Sequence, residues 1–102
     1  MTKEEFQINK VNQRVPKWFK NPQQINSKIL IKFLELQKTN NNVDLEMLEY
    51  ECDLEKFKTN FAKMIDFTDK NSGKVFDKID DNIYLWEPVE KFILNEYNKY
   101  LK

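Results

Sequence analysis

Arg14 is the single guanidinium in a chain of 102 residues, and the residues around it give it a chemical setting. Lys10, Asn12, Gln13, Arg14, Lys17 and Lys20 place four cations and two carboxamides within eleven residues. An arginine fork matches the O6 and N7 edge of guanine, and Asn or Gln matches adenine. The run therefore has the chemistry to read base edges while its lysines neutralise phosphates. A second group, Lys70, Asn71, Ser72, Gly73 and Lys74, presents donors around the only glycine, with Lys78 four residues further on. Asp77, Asp80 and Asp81 lie nearby and would have to point away from a phosphate. Both groups imply double-stranded DNA as the partner.

Other chemistries fail on residue types. The chain has no histidine and one cysteine, Cys52, which excludes Ser-His and Cys-His catalysis, an internal disulfide and a cysteine-rich zinc site. Cys52 falls on the apolar side of a short helical pattern and reads as a small buried hydrophobe. Residues 69–80 have the wrong register for a calcium loop, with Gly73 at the fifth position where such a loop needs glycine at the sixth. Asp66, Asp69, Asp77, Asp80 and Asp81 lack a lysine in a nuclease-like arrangement, and turn chemistry explains them. The expectation is a protein that is not an enzyme and takes no cofactor and no metal.

Hydrophobic residues make up 40% and charged residues 33%, which is enough apolar volume for one core and too much for a disordered tail. No apolar run approaches a bilayer span, and the first residues lack a secretory leader, so no membrane partner and a cytoplasmic location are expected. Net charge is zero but uneven. Residues 1–38 carry eight bases and three acids, leaving nine bases and fourteen acids for residues 39–102. The basic front is the anion-facing end.

Residues 1–20 fit neither a helical nor a strand period: Thr2 and Glu5 suit a capping box, but Phe6, Ile8, Val11 and Val15 share no clean stripe. Asn21-Pro22 reads as a helix start, and Ile25, Ile29, Leu30, Phe33, Leu34 and Leu36 form a wide apolar stripe ending in the Thr39 to Asn42 turn. Asp44 would cap a short helix with Leu45, Leu48 and Cys52 inward. Asp53 would cap another, with Leu54, Phe57, Phe61, Met64 and Ile65 on one face and Lys56, Thr59, Asn60 and Lys63 on the other. Residues 75–79 and 83–86 read as a hairpin around Asp80-Asp81-Asn82, and an amphipathic helix follows Pro88.

This layout, with Val43 able to supply a short strand beside the hairpin, resembles the winged helix-turn-helix superfamily over residues 21–87. The stretches KVNQRVPKWFKNPQQINSKILIKFLELQ and GKVFDKIDDNIYLWEPVEKFILNEYNKYLK look like the TcpK-like winged-helix accessory proteins of clostridial conjugative plasmids. The resemblance implies one α+β, mainly α, domain. Its parts are an N-terminal basic segment (1–20), a winged core with a two-stranded β wing (21–87) and a C-terminal helix (88–102). It also implies a role at a plasmid origin of transfer during conjugation, alongside other plasmid-transfer proteins.

The recognition helix is an awkward contact. Asp44, Glu46, Glu49, Glu51, Asp53 and Glu55 precede it without a single base, and Glu55 and Asp66 flank its lysines. The expectation is that the N-terminal segment and the wing dominate. Phe92, Ile93, Tyr97, Tyr100 and Leu101 form a stripe on the last helix with more apolar surface than so small a domain covers, which suggests a homodimer. The competing readings are a winged-helix protein-interaction module, favoured by the acidic second helix and by Trp18, Trp86, Tyr97 and Tyr100, and a small transcriptional regulator of a mobile element.

Overall fold

A computed structural model describes residues 1–102. The chain runs α1 (Lys3–Lys20), α2 (Ile25–Thr39), β1 (Val43–Asp44), α3 (Leu45–Cys52), α4 (Phe57–Ile65), β2 (Phe76–Ile79), β3 (Asn82–Leu85) and α5 (Glu87–Leu101). The fold is α+β and mainly α, with five helices and one antiparallel sheet in the order β1-β3-β2. Val43 pairs with Ile83, so the short strand expected beside the hairpin forms. No helix is long and apolar enough to cross a membrane.

The stretch without a clear period, residues 1–20, is almost entirely the longest helix of the chain. Thr2 and Glu5 form the capping box that their spacing allows. Its inward residues are Gln7, Val11, Val15, Trp18 and Phe19, spaced by three and four. Its first member is polar and Phe6 lies off it, while Ile8 flanks it half-buried, which blurs the stripe in the sequence. Pro16 sits inside the helix, where it lacks the N–H that a backbone bond needs, so local sequence argues against the helix that packing supports.

Two helix starts differ from expectation. Asn21 does not cap α2; its side-chain nitrogen donates to the Lys17 carbonyl at 2.9 Å and closes the end of α1, and α2 begins only at Ile25. Asp53 does not cap α4; it adopts a left-handed conformation (φ 50°) that ends α3, a conformation Asp tolerates better than most residues. Asp44 does cap α3, accepting from the Met47 N–H at 2.7 Å.

The core joins all elements. Phe33 of α2 meets Phe76 of β2 edge-on at 5.0 Å, and Phe61 of α4 stacks on Phe76 at 5.5 Å and on Phe57 at 5.3 Å. This cluster fixes α2 and α4 to the hairpin, each fully buried ring contributing about 1.5–3 kcal/mol of transfer free energy. At the other end α5 packs along α1, with Phe19 6.0 Å from Tyr97 and 5.4 Å from Tyr100.

Candidate nucleic-acid interface

The residues between α4 and β2 do not form a free loop. Gln7, buried in α1, donates its side-chain nitrogen to the Thr68 carbonyl at 2.8 Å. Its oxygen accepts from the Asn71 side chain at 2.8 Å and from the Lys74 N–H at 3.2 Å. One turn on, Lys10 donates to the Asp69 carbonyl at 2.8 Å and to the Asn71 side-chain oxygen at 2.9 Å. One further turn on, Arg14 donates one terminal nitrogen to the Ser72 carbonyl at 3.0 Å and the Asn71 carbonyl at 3.3 Å. Positions 7, 10 and 14 share one edge of a helix, so a single row of α1 side chains holds residues 66–74.

That segment in turn closes α4. The Ser72 N–H donates to the Lys63 carbonyl at 3.0 Å and the Val75 N–H to Met64 at 2.9 Å, while the Lys74 ammonium reaches Ile65 at 2.9 Å. These are the carbonyls that a helix C-terminus leaves without internal partners. Gly73 has φ +118°, a backbone conformation that residues with a side chain rarely adopt, and so it permits the turn into Lys74.

This geometry sorts the candidate residues. Asn12, Gln13, Lys17, Lys20, Lys70 and Lys78 are exposed, and none is in an ion pair. Asn71 is 4% exposed and its amide is spent on Gln7 and the Asp66 carbonyl, so it is removed from the DNA-facing set. Lys74 is removed as well, because its ammonium bonds the carbonyls of Ile65 and Phe76 and pairs with Asp77 at 2.9 Å. Arg14 is exposed, but one terminal nitrogen is anchored; its Nε and other terminal nitrogen form no hydrogen bond and keep a two-donor edge. Asn12, Gln13 and Arg14 do not act as a contiguous triplet. Each residue turns about 100° round a helix, so Asn12 and Arg14 face away from each other, whereas Gln13, Arg14, Lys17 and Lys20 share the outer arc.

Sequence reasoning missed Gln7, which carried no signal in its type. Lys58 is exposed at the start of α4. Lys10 has its pKa lowered by desolvation and then by the Arg14 charge, with Asp69 opposing. Burial pushes the Cys52 thiol up to about 11, so it stays protonated at neutral pH. No three acidic or cysteine side chains come together to hold a metal.

The dimer stripe is altered too. Ile93 is fully buried and Tyr97 is 4% exposed, both covered by the chain's own α1, and Phe92 is half-buried. The middle of the stripe is not surplus surface, because α1 packs along α5. Tyr100, Leu101 and Leu94 remain exposed. A second copy using Ile93 and Tyr97 would have to open the α1–α5 packing, so a homodimer through this helix would rest on Leu94, Tyr100 and Leu101.

No family model, curated protein or solved structure matches the chain.

Proposed function

We propose that the chain is a winged helix-turn-helix protein that binds double-stranded DNA sequence-specifically, as an accessory factor at a plasmid origin of transfer. The plasmid role rests on the resemblance of the sequence. The binding reading is carried by one observation: the outer edge of α1 presents Gln13, Arg14, Lys17 and Lys20 with no acid paired to them, beside a segment that adds Lys70. The order α2, β1, α3, α4, β2, β3, with β1 against β3, supports the winged architecture. In this reading lysines of α1, the 66–74 segment and the hairpin hold phosphates, and the free edge of Arg14 reads guanine. Glu46, Glu49, Glu51, Asp53 and Glu55 have no cation within an ion pair, so α3 stays off the duplex, and α4 contributes mainly through Lys63.

The test is fluorescence anisotropy with labelled duplexes over a salt series. Binding whose logarithm falls linearly with log salt, and more tightly to an origin-derived duplex than to random sequence, is the expected result. Arg14→Lys should reduce the preference for the specific duplex by about 1–3 kcal/mol with the salt slope unchanged. Absence of duplex binding at low salt would overturn the proposal and favour a protein-interaction module. One observation supports that second reading: Tyr50 is 80% exposed among the acids of α3, as an aromatic contact residue would be.

A further inference from the structure

We propose that the groove between the first turn of α1 and residues 67–69 takes an unpaired base of single-stranded DNA. The groove has a volume of about 550 Å³, within the range of about 300–1,000 Å³ typical of small-molecule sites. Two aromatic rings line it, Phe6 and Phe67, 40% and 41% exposed in a chain that buries its other phenylalanines more deeply. Each ring is steadied by a neighbour. The Lys10 ammonium lies 4.9 Å from the centre of Phe6, and Trp86 meets Phe67 edge-on at 5.6 Å.

Cations border the groove: Lys3 lines it, Lys10 is bonded to the Asp69 carbonyl in its wall, and exposed Lys70 follows directly. Asp69 is the one acid in the lining, and the nearby carboxylates of Glu5 and Asp66 are hydrogen-bonded to Thr2 and Thr68. Aromatic faces beside cations that track a backbone are the means by which proteins hold unpaired bases. Recognition here is by stacking, because the lining amide of Gln7 and the hydroxyl of Thr68 already have partners. The site is therefore tolerant of base identity. It goes beyond the duplex reading, since a paired base is stacked within its own helix and cannot enter; the two readings are separable in one experiment.

The measurement uses the full chain and a short single-stranded oligodeoxynucleotide carrying a fluorescent adenine analogue, titrated at one low salt concentration beside a duplex of random sequence. Wild-type protein should bind the single strand and change the fluorescence of the analogue. Phe6→Leu and Phe67→Leu, which keep apolar bulk and remove the ring, should each weaken single-strand binding about fivefold or more, while duplex affinity stays within twofold. Phe6→Tyr should bind like wild type. Melting curves establish that the variants fold, and the two positions lie in different elements, so a local packing fault at one does not decide the result. Equal single-strand affinity in wild type and both leucine variants overturns the site, as does strand binding with unchanged analogue fluorescence. An apolar peptide ligand would tolerate the leucines, so the same variants exclude it. Failure of duplex binding alone, with the single-strand results as expected, sinks the duplex reading and leaves this one standing.

Discussion

Replacing Asn71 by alanine is expected to lower the stability of the fold by about 2–3 kcal/mol, because the change orphans several buried partners at once. The Asn71 side chain donates to Gln7 at 2.8 Å and to the Asp66 carbonyl at 2.5 Å, and accepts from Lys10 at 2.9 Å. Water cannot replace these bonds without opening the segment from α1. For a domain of this length such a loss lowers the melting temperature by about 10–20 °C. It is a large fraction of a total stability of about 5–15 kcal/mol. Asn71→Asp is the informative companion, since it keeps the shape and loses both donated bonds while aiming a carboxylate at two oxygens. Both variants should melt early in a calorimetric scan. A shift below about 3 °C for each would mean that residues 66–74 are not held by this joint.

The second large effect concerns phosphate contacts. Under the proposed DNA-binding reading, Lys17→Ala, Lys20→Ala, Lys70→Ala and Lys78→Ala should each reduce the salt slope of duplex binding by about 0.9, and the fourfold variant by about three to four units. All four residues are exposed and outside every ion pair, so their removal should leave stability near wild type. Lys74→Ala should do the reverse. Its ammonium holds the Ile65 and Phe76 carbonyls and pairs with Asp77, so it should destabilise the fold and leave the slope alone. Lys56→Ala and Lys58→Ala at the start of α4, next to the acids of α3, are expected to matter little. Salt titrations paired with melting curves check all eight variants. If the two α4 variants abolish binding while the fourfold variant keeps it, α4 is the groove-reading element and the weight given to α1 is mistaken.

Sequence alone determined the elements whose apolar residues keep a period and whose ends carry turn chemistry. The stripe from Ile25 to Leu36, the Asp44 cap, the hairpin around Asp80-Asp81 and the helix after Pro88 are all present, because in each of them local preference and burial agree. The same reasoning excluded histidine and disulfide chemistry, which depend only on residue types. Tertiary structure decided the elements in which the two conflict. The helical state of residues 3–20 runs against Pro16 and a buried glutamine, and it is stabilised by α5 on one side and by residues 66–74 on another. The roles of Gln7, Arg14 and Asn71 follow from that contact. Their types suit solvent or DNA equally well, and their partners lie about sixty residues away in the chain. Nothing in a local pattern distinguishes a carboxamide that faces water from one that satisfies a buried carbonyl. The packing of α1 against the chain makes that choice, because a buried polar group must find its hydrogen bonds inside the fold.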